Sequence, residues 1–262
     1  MSDETAERIL LRHEGEVAIL TVNQPARRNA MTRAMRQRLG ALVHEVMVAD
    51  TASRALVITG AGGHFSAGAD ISDMTKRSIS QSRDVLIETG AVVREFVTGR
   101  KPVIAAVEGI AFGLGMSFAC AADYVVCGAG ARFCAAFLRI GLIPDTGILW
   151  SLPRKVGPAR ARELLSLARE VDAQEAERIG LVDRLCEAGS ALKEAIEFAQ
   201  GLARNPPLGM ALIKAALTHG ADTLDASLQT EIDYQPVLRH TADHQEAARA
   251  FMEKRAPRFE GR

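Results

Sequence analysis

The stretch KPVIAAVEGIAFGLGMSFACAAD, Lys101 to Asp123, decides the fold. Its first half, PVIAAVEG, is an apolar run bounded by proline and glycine, as expected of a strand buried on both faces. A glycine-rich turn follows, and GLGMSFACAAD then crowds small residues into a helix. That order places backbone N–H groups at the positive end of a helix. A second turn of this kind, HFSAGADI (His64–Ile71), comes after the short apolar strand ALVIT (Ala55–Thr59). Small residues let a ligand approach exposed N–H groups, and two such turns facing each other would make an oxyanion hole. Close strand–helix packing uses the same residues, so the residues alone leave both readings open.

Upstream, ILLRHEG and EVAILTV form a hairpin split at Gly15. A helix is expected from Met31, with apolar Met35, Leu39, Val43, Val46 and Met47 at helical spacing, and another around Asp84–Val97. Downstream, YVVCG and a segment near ARFCAAF read as strands. From about Gly157 the chain reads as almost wholly helical, with candidates at Pro158–Ala168, Ala173–Ile179, Ala191–Leu202, Leu208–Leu217, Leu224–Leu238 and Thr241–Lys254. The expected class is α/β, a mixed core followed by a helical C-terminal region without a linker.

The 262 residues are 48% hydrophobic, enough for one large core. Lys+Arg and Asp+Glu balance at 32 each, which argues against a nucleic-acid or membrane-surface partner. No apolar run reaches the length of a membrane span, about 18 residues. Four cysteines, Cys120, Cys127, Cys134 and Cys186, form no C-x-x-C pair and read as small buried hydrophobes. With a charged rather than apolar beginning, MSDETAERILLRHEG, they point to a reducing, cytoplasmic setting.

Several motifs fail. GAGGHF follows a strand, but Phe65 stands where a dinucleotide fingerprint needs its third glycine. HTADH spaces His240 and His244 four apart without the glutamate of a zinc protease. Ser117 lies outside any G-x-S-x-G elbow. No metal is expected. The remaining oddity is IGLIPDTGILW, Ile140 to Trp150, where Asp145 interrupts an apolar run. It could cap the helix that follows, or it could be a buried acid with a raised pKa. The eleven residues alone favour the cap.

Together, HFSAGADI and KPVIAAVEGIAFGLGMSFACAAD resemble the two oxyanion motifs of the crotonase superfamily, the enoyl-CoA hydratase/isomerase family. LTVNQPARRNAM (Leu20–Met31) is similar to its CoA-binding segment, and FMEKRAPRFEGR (Phe251–Arg262) to its C-terminal end. The resemblance implies a spiral of ββα units over residues 1–200 and a helical trimerisation region over 201–262. It implies an acyl-CoA thioester as substrate, with coenzyme A part of the substrate and no separate cofactor. It also implies a homo-oligomer, a trimer or a dimer of trimers.

Residue by residue, the resemblance implies oxyanion donors at the N–H groups of Ala69 and Leu114, each worth about 3 kcal/mol of transition-state stabilisation. Leu114 is bulkier than the glycine or alanine usual there and would narrow the pocket. Arg28, Ala67, Asp70, Ile71 and Phe137 would contact substrate. Phe251 would touch adenine, and Lys254 of a neighbouring subunit a CoA phosphate. The two glutamates of family hydratases align with Ser117 and Phe137, neither of which is a base. GLIPDTGILWSLPRKVG and TADHQEAARAFMEKR instead resemble the enoyl-CoA isomerase branch, including ring-epoxide isomerases of phenylacetate degradation. There one carboxylate at the Asp145 position is both acid and base, which reverses the preference for a cap. Ile143, Ile148, Leu149 and Trp150 would supply apolar surroundings. Two alternatives remain: a hydratase using Glu108 or Asp70, and a non-catalytic member that binds acyl-CoA or RNA.

Overall fold

The computed structural model describes residues 7–73, 77–219 and 223–262. The first six residues of the charged N-terminal segment lie outside that range.

The hairpin forms as expected. Strands β1 (Ile9–Glu14) and β2 (Val17–Val22) pair antiparallel with Glu14 opposite Val17, and Gly15 takes the positive φ of 58° that the two-residue loop requires. From β2 onward the main sheet is parallel. It runs β1-β2-β3-β4-β6-β9, with β3 at Ala55–Gly60, β4 at Val103–Val107, β6 at Tyr124–Gly128 and β9 at Arg184–Cys186. A second sheet has the order β5-β7-β8, from Ile110–Phe112, Arg132–Cys134 and Glu170–Asp172. The strand pairs β4–β5 and β6–β7 each send one strand to either sheet, which is the ββα spiral.

Ten α-helices are described. α1 is Arg33–His44, α2 Ile79–Thr98, α3 Leu114–Ala121, α4 Ile148–Val156 and α5 Pro158–Leu167. α6 is Ala173–Arg178, α7 Ala191–Ala203, α8 Pro207–His219, α9 Leu224–Arg239 and α10 Ala242–Met252.

The strands read as unbroken apolar runs because helices cover both faces of the main sheet. Leu56, Ile58, Ala105 and Val107 face a core that includes Met35, Leu39 and Phe118. Val57, Ile104, Ala106 and Val126 face Ala195, Ile196 and Ala199 of α7. Cys120, Cys127 and Cys134 are buried free thiols, and burial pushes those of Cys120 and Cys127 up to about 12.

Three short strands depart from the sequence reading. β5 had read as part of the glycine turn, and β8 and β9 interrupt the stretch after Gly157 that had read as helical. Three residues give too little alternation to show a period, and their pairing partners are distant in sequence. No described helix is long and apolar enough to cross a membrane.

Candidate active site

The site is built where the two small-residue turns meet. Ser66 N–H donates to the Ile110 carbonyl (2.9 Å) and Phe112 N–H to the Ser66 carbonyl (2.9 Å), so HFSAGADI lies along β5. A Cβ on Gly115 would fall 2.6 Å from the Ser66 oxygen. One on Gly68, at φ 104°, would fall 2.9 Å from the Phe112 oxygen and 3.4 Å from the Leu114 nitrogen. Both glycines are therefore required by close backbone packing. That contact also brings the turns together at one cavity.

On the other side, the segment Leu20–Met31 backs the first turn. Ala67 N–H donates to the Arg28 carbonyl, Met31 N–H to the Gly68 carbonyl and Asp70 N–H to the Met31 carbonyl, at 2.8, 2.8 and 3.0 Å. Buried Asn29 locks this arrangement through Nδ2 bonds to the Ala61 and His64 carbonyls. In this parallel bridge Met31 bonds to the residues either side of Ala69, so the Ala69 N–H is turned away. It donates to no protein acceptor among the described residues, and neither does the N–H of Leu114. Leu114 opens α3 after Gly113, which offers no side-chain cap. Both residues line a cavity of about 560 Å³.

Asp145 lines the same cavity and is its one carboxylate among the described residues. It does not cap the following helix. The N-cap of α4 is Gly147, without a side-chain bond. The carboxylate instead accepts the Thr146 hydroxyl at 2.8 Å. Burial raises the Asp145 pKa, opposed by the Thr146 hydrogen bond and the charge of Arg36. The turn is strained, since β-branched Thr146 sits at φ 55°, where such residues are rare. Ser117, wholly buried, holds the turn by donating its hydroxyl to the Asp145 carbonyl oxygen at 3.1 Å.

Ala67, Ile71 and Phe137 line the cavity. Of Ile143, Ile148, Leu149 and Trp150, only Ile143 does. Ile148 is buried beneath its helix, Leu149 lines a separate groove, and Trp150 stacks under the Arg154 guanidinium at 4.0 Å. The apolar walls come instead from Val85 and Leu86 of α2 and from Phe137 and Leu142.

Asp70 is not part of the lining. Its carboxylate takes Arg27 Nη1 at 2.7 Å and the Ser72 hydroxyl at 2.6 Å, and the Ser72 bond leads in holding its pKa low. Glu108 accepts the Ala191 N–H at 2.9 Å and also lies outside. Arg28 is exposed beside the first turn, its carbonyl holding Ala67. Phe251 and Lys254 are exposed at the end of α10, away from the cavity of their own chain. No group of three or more His, Cys, Asp or Glu among the described residues could hold a metal ion.

Residues 12–262 match the enoyl-CoA hydratase/isomerase family. The chain belongs to that family. It is 36% identical to 1,2-epoxyphenylacetyl-CoA isomerase of Escherichia coli K12, over 98% of this chain and 99% of the relative. It is 34% identical to 2,3-dehydroadipyl-CoA hydratase of the same organism, over 97% and 99%. The crystal structure of an enoyl-CoA hydratase from Polaromonas sp. JS666 superposes with a TM-score of 0.91 at 32% identity, covering 96% of this chain and 99% of that one. Relatives named as an isomerase and as a hydratase are thus both similar to this chain, at 36% and 34% identity, and the name of the reaction has to come from the site.

The family resemblance did not reveal Arg36, Arg77, Thr89 or Arg139, all of which line the cavity. One signal was present. Arg36 falls three residues before Leu39 and seven before Val43, a cation on the buried stripe of α1.

Proposed function

We propose that the protein is an acyl-CoA isomerase in which Asp145 moves a proton between the α and γ carbons of an enoyl thioester. The supporting observation is a cavity that, among the described residues, is lined by a single carboxylate and by Ala69 and Leu114, whose N–H groups have no protein acceptor there. The thioester oxygen of a 3-enoyl-CoA would accept the N–H groups of Ala69 and Leu114, which makes the α proton more acidic. Asp145 takes that proton, leaving a dienolate whose negative charge rests on the held oxygen. The same carboxyl returns the proton at the γ carbon, and the double bond moves to the α,β position. Water is neither consumed nor activated, so no second carboxylate is needed. A burial-raised pKa suits a group that must both accept and release a proton. With a ring-epoxide thioester the same proton shift would assist ring opening.

Arg28, with Phe251 and Lys254 of an adjacent copy, would meet the CoA portion in an oligomer built on residues 201–262. The test is double-bond migration from a 3-enoyl-CoA in heavy water, followed by NMR. Wild type should incorporate deuterium and isomerise, and Asp145→Asn should lose at least about 100-fold. Equal turnover by both proteins would assign the proton transfer to another group. Hydration without migration would make the protein a hydratase with unfamiliar acids.

A further inference from the structure

Arg36 is a buried cation with too few partners. Its side chain is 8% exposed. Nη1 donates to the Met31 carbonyl at a long 3.4 Å, and the fully buried Nε has no hydrogen-bond partner among the described residues. The nearest carboxylate, Asp73, stands 3.8 Å from Nη2. That carboxylate is already engaged, taking the Arg33 N–H at 2.7 Å and facing Arg77 at 3.4 Å. Burying a guanidinium so incompletely satisfied is unfavourable, and arginine does not escape by losing its proton. Such a group is retained where something supplies the missing acceptor.

The cavity is where an acceptor for the Nη groups can come from. Arg36 lines it together with Asp145, and the two interact electrostatically. Asp145 must face the reacting carbons of the acyl chain under the reading above, on which this inference rests, so Arg36 is on the acyl side. Around them the walls are apolar, from Val85, Leu86 and Phe137. A plain alkyl chain would fill that space and leave Arg36 unsatisfied.

We propose that Arg36 makes the cavity select acyl groups that carry a hydrogen-bond-accepting oxygen, which would bond the guanidinium beside Asp145. Arg36 acts as a specificity residue and takes no part in the proton transfer. Two sources share this chemistry: a terminal carboxylate, and a neutral oxygen such as a hydroxyl, ether or epoxide.

The experiment measures binding and needs no turnover. Kd is determined calorimetrically for a graded series of saturated dicarboxylyl-CoA thioesters, for their terminal-hydroxy counterparts and for plain alkyl thioesters of matched length. At the chain length that reaches Arg36, the oxygenated thioester should bind wild type about tenfold or more tighter than the alkyl one. Arg36→Met should abolish that ratio, and Arg36→Lys should restore part of it. Because the ratio compares ligands on one protein, a general weakening of the fold affects both sides alike. A gain confined to the carboxylate series identifies an anionic acyl group, and a gain shared by the hydroxy series identifies a neutral oxygen. Equal binding of oxygenated and alkyl thioesters at every length overturns the proposal, as does a preference that survives in Arg36→Met. If no thioester of any kind binds, the acyl-CoA reading of the cavity falls, and this inference with it.

Discussion

Burial holds Asp145 above the ordinary carboxylate range, and this links its chemistry to stability. A raised folded-state pKa contributes stability below the unfolded value, and that contribution is lost as pH rises through the folded pKa. Above that folded-state pKa the ionised side chain therefore weakens the fold it serves. Asp145→Asn keeps an acceptor for the Thr146 hydroxyl and removes the charge. Its melting temperature should exceed wild type at neutral pH, and the gap should close as pH falls into the usual aspartate range. A variant less stable than wild type at neutral pH would mean that the carboxylate is structurally paired in a way the geometry does not display. The residue's dual character was half legible in the sequence. A lone acid in an apolar run is visible there, but whether it caps α4 depends on Gly147 ending up as the N-cap.

At the scale of elements, α8 is fastened to the main sheet by an ion pair between buried Lys214 and half-buried Asp123. Lys214 Nζ reaches Asp123 at 2.6 Å and the Lys101 carbonyl at 2.9 Å, and Asp123 also accepts the Val103 N–H at the start of β4. Burial pushes both partners toward neutrality, and the pair offsets it by mutual attraction. Removing one partner strands the other, so Lys214→Met should lower unfolding free energy by about 3 kcal/mol in urea titration. A change within about 0.5 kcal/mol would show the pair to be replaceable by packing alone. Sequence could not announce this link, because Asp123 and Lys214 lie far apart in the chain and a lysine on a helix ordinarily reads as solvated. The helix hosting it was readable from its own apolar spacing. α1 shows the same division: its stripe was legible, whereas the reason for Arg36 within it was not.

Over the whole molecule, the C-terminal helices leave an apolar surface uncovered. Leu224, Leu228 and Ile232 recur at helical spacing along α9 and are exposed, with Leu217 of α8 and Phe251 and Met252 of α10 exposed as well. An exposed apolar stripe such as that of α9 is ordinarily buried against a partner. The expected partner is another copy of the chain. Sedimentation velocity should find a trimer or a multiple of it for wild type, and Ile232→Asp should shift the population toward monomer. A wild-type monomer at micromolar concentration would rule out residues 201–262 as an assembly region and leave Phe251 and Lys254 without a site to complete.

By itself the sequence determined what depends on neighbours along the chain: the hairpin at Gly15, the buried parallel strands, the helices with a clear apolar stripe, and the two turns rich in small residues. Periodicity and glycine placement are local, so they can be read locally. Only the tertiary structure decided where the turns meet. Gly68 and Gly115 are small because two backbones touch, and that contact brings the free N–H groups of Ala69 and Leu114 to one cavity. It decided that Asp145 faces the cavity while Asp70 and Glu108 are held elsewhere, and that Arg36 is buried without a full set of partners. Each of these turns on distances between residues remote in sequence, and no local pattern encodes them.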